Sequence, residues 1–188
     1  RALHFLFELF FMEILFLLVG LAIVWRLANR AAQQRRIALL AQHLSPLRIE
    51  MLMSTLMEGY LRALGETDPQ RQQQVWGVLA TAEAEIETQM DRLAESVRAM
   101  DPAQARISRL PVAVPLIDQW APQACFDLRE ALAIHARGVA GVRARTDWDH
   151  KQRAFAMTAE LMLMQHSCHW YCQSKMVASA RQLARHKT

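Results

Sequence analysis

The chain has 188 residues, a formal net charge of +4 and three cysteines. That length suffices for one domain with one sizeable core beside a membrane segment. The modest charge, without aromatic residues interleaved in the basic clusters, excludes a nucleic-acid reader. Six glycines and six prolines are few, and alanine, leucine, glutamine, arginine and glutamate dominate after residue 25. Such usage favours helices over a sheet.

Residues 3–25 form an almost wholly apolar run, closed on one side only by Arg26, Arg30, Arg35 and Arg36. At about 1.5 Å per residue this run crosses a hydrocarbon core of roughly 30 Å. Lys and Arg concentrate on the cytoplasmic flank of a span. The expected topology is therefore single-pass, with the N-terminus outside and the large domain cytoplasmic, in the inner membrane if the source is bacterial. A cleaved signal peptide fits poorly, because the basic residues follow the apolar core and no small-residue cleavage site is present. The lack of an initiator Met implies residues before Arg1. Within the run, His4 and Glu8 are one turn apart and Glu13 lies five further on, so both carboxylates fall in the outer half of the span. A lone ionised carboxylate there costs roughly 2.5 kcal/mol or more. Either Glu8 is interfacial and Glu13 marks the edge of a shorter span, or His4, Glu8 and Glu13 meet a membrane partner or a second copy of the chain; proton or ion conduction is a third reading, for which one short segment offers no relay.

The opening helix is expected to continue to about Leu44 as a juxtamembrane basic stalk over 27–44. Ser45-Pro46 then supplies a cap and an N1 proline for a second helix that stops at Gly65, with Leu52, Leu56, Tyr60 and Leu64 on one face. Asp68-Pro69 starts a third helix reaching about Met100. Its stripe of Val75, Leu79, Ala82, Ile86, Met90, Leu93, Val97 and Met100 recurs at three and four. Residues 101–121 hold Pro102, Pro111 and Pro115 without a sustained period and predict a connector with one short turn of helix. Pro122 opens a fourth helix with Cys125, Leu128, Leu132, His135, Val139 and Val142 inward. Asp147 caps a last helix running to about His186, with Phe155, Ala159, Met162, His166, His169, Met176, Ala180 and Leu183 inward. The expected fold is all-α: one N-terminal transmembrane helix (1–26), the stalk, and an antiparallel bundle of four or five long helices over 45–188.

The stretch His166-Ser-Cys168-His169-Trp-Tyr-Cys172 holds four borderline or soft ligands within seven residues. His166 and His169 share one helix face, Cys168 and Cys172 another, so one straight helix cannot present all four to a tetrahedral ion. A turn centred near residue 145.5 would place Cys125 opposite His166. That gives Cys125, His166 and His169 as a metal set for zinc or another transition metal, completed by a carboxylate or His43, with Cys168 and Cys172 as further candidates. His135 would face Ala156 and drops out. Buried thiols and core histidines account for the same residues without a metal, and the methionines at 51, 53, 57, 162 and 164 read as adaptable core. The acidic group at Asp147 reads as helix capping.

No nucleophile beside a base, phosphate loop or paired catalytic carboxylates stands at motif spacing. The expectation is a non-enzymatic subunit or adaptor of a larger membrane assembly of secretion, motor or transport type. Its partners would be membrane proteins or further copies and the lipid bilayer. The alternative is a membrane-tethered metal- or haem-responsive sensor with ligands from the last two helices.

Overall fold

The computed structural model describes residues 2–108 and 120–172, with backbone alone for 2–9. The chain is mostly helical. α1 (Ala2–Leu44) is a single helix of 43 residues, about 65 Å long at 1.5 Å per residue. It has two environments. From Phe10 to Leu27 its large apolar side chains stand exposed, Leu17 at 73% and Phe16 at 68%, and this part is long and apolar enough to cross a membrane. From Ile37 onward it joins the core, where Leu40 is buried and Ile37, Leu39 and Leu44 are partly covered.

Pro46 disfavours helical geometry at Ser45, and the chain turns over 45–48. Helix α2 (Ile49–Gly65) therefore begins three residues later than Ser45-Pro46 predicts, without a side-chain cap. Its N-cap residue Arg48 instead donates its backbone N–H to Gln89 Oε1 at 3.3 Å, which ties the corner to the next helix. That helix is α3 (Pro69–Arg98), and it follows its start signal: Asp68 Oδ1 accepts the Gln70 N–H at 2.9 Å and Pro69 sits in the first turn. Gln72 reaches back to the Ala63 carbonyl at 2.9 Å, satisfying an orphan acceptor at the end of α2. Leu79, Ile86, Met90, Leu93 and Val97 are buried as their spacing predicts, together with Trp76, Glu83 and Gln89.

The connector holds the short turn of helix expected of it and departs from expectation only in the strand that follows. A four-residue helix α4 (Pro102–Ala105), capped by Asp101, leads into strand β1 (Arg106–Ser108). β1 pairs antiparallel with β2 (Cys125–Asp127), Ile107 opposite Phe126 and Ser108 opposite Cys125. The all-α expectation missed this ribbon, because three-residue strands carry no readable alternation. The ribbon also delays the fourth helix: Pro122–Ala124 make only one 3-10 turn, and α5 runs Leu128–Ala144. Asp127 ends the strand and caps the helix, accepting the Arg129 N–H at 2.9 Å. The Arg129 guanidinium grips the same carboxylate at 2.6 and 3.0 Å and holds its pKa below the usual range.

Asp149, not Asp147, starts the last helix. Asp149 and Gln152 form a reciprocal capping box, each backbone N–H donating to the other's side chain. Helix α6 (His150–Cys172) then packs on α5, α2 and α1. Its inward residues are Ala154, Met157, Leu161, Met164 and Tyr171. The predicted stripe is one residue out of phase: Phe155 is 61% exposed, Met162 38%, and His166 faces solvent. The predicted continuation beyond Cys172, with Met176, Ala180 and Leu183, lies outside the described residues.

Two polar devices fix how the helices meet. Glu83 on α3, only 5% exposed, accepts the Tyr60 hydroxyl from α2 at 2.8 Å and the Arg153 guanidinium from α6 at 2.6 Å. Burial, with Glu83 as neighbour, pushes the Tyr60 hydroxyl pKa well up. Beside this group the Trp76 and His150 rings stack at 4.7 Å. At the other end of α6, Tyr171 donates to the Gln104 carbonyl at 2.9 Å and the Trp170 indole to the Ser108 carbonyl at 3.0 Å, which latches α6 onto the connector and ribbon. Glu83→Ala strands a partly buried guanidinium and a buried hydroxyl, so it should cost about 3 kcal/mol, the low end for a broken buried pair. Tyr60→Phe should cost about 1 kcal/mol. Thermal denaturation of the detergent-solubilised chain measures both, and equal melting temperatures would refute the assignment.

Candidate functional site

A groove of about 560 Å³ opens where the end of α1, the turn after it, the start of α2 and the end of α6 meet. Ile37, Leu40, Leu44, Leu47 and Ile49 form its apolar walls, and Glu50, Gln165 and His169 add polar groups. Its sulfur content sets it apart: Met53 comes from α2, and Met164, Cys168 and Cys172 come from α6. The last three lie four residues apart, so one helix face carries them in line. The Cys168 thiol donates to the Met164 thioether at 3.8 Å. Burial pushes the Cys168 thiol up to about 12, with Cys172 adding to the shift, and the Cys172 thiol up to about 11, against the nearby Arg36 charge that draws it down.

The predicted metal set is not brought together. Among the described residues, no three His, Cys, Asp or Glu side chains converge as a metal site. Cys125 is buried in β2 and His166 is exposed, its ring tilted against Trp170 with centroids 6.2 Å apart. Of the five candidates, Cys168, His169 and Cys172 line the groove, while Cys125 and His166 do not. His43, offered as a completing ligand, bonds Ser96 on α3. The physical reason is register. The last helix starts at His150 and not at Asp147, so α5 meets α6 several residues further along than a turn centred near 145.5 requires.

The same shift brings in His135, which sequence reasoning set against Ala156. Its Nε2 is 3.0 Å from Ser167 Oγ, and its Nδ1 is 3.3 Å from Glu160 Oε2. Gly138 makes room for that carboxylate, since a Cβ there would lie 2.6 Å from Glu160 Cδ. Serine, histidine and glutamate are the residue types of a hydrolytic triad. Ser167, however, stands inside α6, where the ladder consumes the backbone N–H groups that an oxyanion would need. Its hydroxyl also bonds the Leu163 carbonyl at 3.0 Å. The contact is a polar clamp between helices.

In α1, His4 and Glu8 lie where only backbone is described, and Glu13 is exposed on the apolar half of the helix. Sequence reasoning missed the groove as a whole. Its available signal was the four-residue spacing of Met164, Cys168 and Cys172, masked by a stripe drawn one residue away. No family model, curated protein or solved structure matches the chain.

The protonated state of both thiols is directly measurable. At pH 8, iodoacetamide should modify Cys168 about a thousandfold, and Cys172 about a hundredfold, more slowly than a thiol of ordinary pKa. Both rates should climb about tenfold per pH unit past pH 9, because the thiolate fraction keeps rising until pH passes the raised pKa. Rates that level off near pH 9, followed by mass spectrometry of the two peptides, would contradict the burial described.

Proposed function

We propose that the chain is a non-enzymatic, single-pass membrane subunit or adaptor of a larger membrane protein assembly of secretion, motor or transport type. In this reading α1 enters the bilayer with its N-terminus outside, and the remaining helices form an antiparallel bundle on the cytoplasmic side. The observation that carries it is the division of α1. Its first half offers apolar side chains to the surroundings from Phe10 to Leu27, and its last turns pack into the core at Leu40. A helix exposed in this way needs lipid or protein around it. The exposed Glu13 favours protein over lipid alone, since a carboxylate within a span normally faces a partner or water. A basic or polar group on a neighbouring membrane helix is the complement that Glu13, with His4 and Glu8, calls for.

A metal- or haem-responsive sensor is the second reading. The sulfur-lined groove favours it, because the groove joins the end of the membrane helix to the last helix. A ligand held there would act on the junction between tether and domain.

Purification of the full chain from native membranes in mild detergent separates the readings. Under the adaptor reading, wild type carries other membrane proteins at fixed stoichiometry. Glu13→Leu should remain membrane-inserted and lose most of them. A wild-type chain that purifies as a stable monomer, or a Glu13→Leu variant with unchanged partners, would refute the adaptor reading as stated.

A further inference from the structure

We propose that Cys168 and Cys172 form a binding site for one Cu(I) ion, with a thioether of the same groove, Met53 or Met164, as a third and weaker ligand. Four residues bearing soft sulfur line one groove of about 560 Å³, three of them on a single face of α6. Neighbours four apart on a helix have Cβ atoms about 5–6 Å apart. Two thiolates facing each other across one ion stand about 4.6 Å apart if the metal–sulfur bond is taken as roughly 2.3 Å, the zinc value. The flexible Cβ–S arms close that difference without moving the helix. The contact between Cys168 and Met164, 3.8 Å from sulfur to sulfur, shows that thiol and thioether already share one space.

The chemistry of the donors selects the ion. Mg(II) and Ca(II) require oxygen ligands, and the walls here are aliphatic apart from a few polar groups at Glu50, Gln165 and His169. Structural Zn(II) requires four ligands from cysteine, histidine and carboxylates, and no three of these converge among the described residues. Thiolate and thioether donors suit Cu(I), zinc and iron–sulfur clusters; the clusters take four cysteines, and of the three only Cu(I) is satisfied by two thiolates with one thioether.

Binding is coordination without electron transfer. Cu(I) adds to two thiols, both thiol protons pass to solvent, and the product is a complex of one negative charge. Arg36 lies close enough to Cys172 for its charge to act on that thiol, and the guanidinium offsets the new anion. The site lies between α6 and the juncture of α1 with α2; with Met53 as third ligand the ion would tie α6 to α2, and with Met164 all three ligands would stand on α6.

The test is an anaerobic titration of the full chain in detergent with Cu(I), in competition with a chromophoric Cu(I) chelator. One ion per chain should leave the chelator. Cys168→Ser and Cys172→Ser should each weaken retention at least a hundredfold, and Cys125→Ser should leave it unchanged. X-ray absorption of the wild-type complex should show sulfur ligation only, a readout that survives if a serine variant fails to fold. Failure of the wild type to take Cu(I) from the chelator, retention in both serine variants, loss in Cys125→Ser, or nitrogen or oxygen ligands in the absorption spectrum would each overturn the proposal.

Discussion

One continuous helix in two surroundings is the constraint on which the rest of the structure depends. α1 has no break between the exposed apolar stretch and the turns that bury Leu40. Its backbone is satisfied internally throughout, which is the condition for a helix to pass from water into hydrocarbon. The last turns of α1 pack against α3 and α6, so the domain is joined to the apolar segment by a rigid rod and not by a flexible linker. α6 thus packs directly on the last turns of the helix that carries the apolar segment.

The helices beyond α1 are positioned by polar contacts as well as by apolar burial. A core of leucine, methionine and valine tolerates sliding and rotation, since many packings bury similar area. The buried Glu83, bonded by Tyr60 and Arg153, ties α2, α3 and α6 together at one point. Arg143 pairs with Glu87 and adds a second tie between α5 and α3. At the opposite end, Tyr171 and Trp170 hold α6 to the connector and ribbon. The groove lies near this latched end, and its shape is inherited from contacts that do not line it.

Much of this was legible in the residues, and the failures have physical causes. The apolar run, the end of α1 at Leu44 and the inward face of α3 follow from local periodicity and start signals, which a single sequence displays. The start of α5 does not: Pro122 is a fair start signal, but pairing of Cys125–Asp127 with Arg106–Ser108 competes with it, and that pairing is long-range. The face of α6 was misread because apolar residues occur nearly all the way round it. Phe155, Met162 and Leu163 stay exposed while Met157, Leu161 and Met164 are buried, and only contacts with α5, α1 and α2 choose between them. That one-residue phase error placed the candidate site on the histidines instead of the sulfur stripe.

The membrane-subunit reading requires lipid around the first half of α1 and water around its last turns. Single cysteines placed along the helix of the full chain in intact membranes, treated with a membrane-impermeant maleimide and mapped by peptide mass, test this directly. Leu17→Cys should stay unmodified until detergent is added, and Gln34→Cys, exposed beyond the apolar stretch, should react once its side of the membrane is opened to the reagent. Modification of Leu17→Cys to the extent of Gln34→Cys, once the reagent reaches the Gln34 side and before detergent is added, would mean that the first half of α1 is not in lipid, and would contradict the membrane-subunit reading at its foundation.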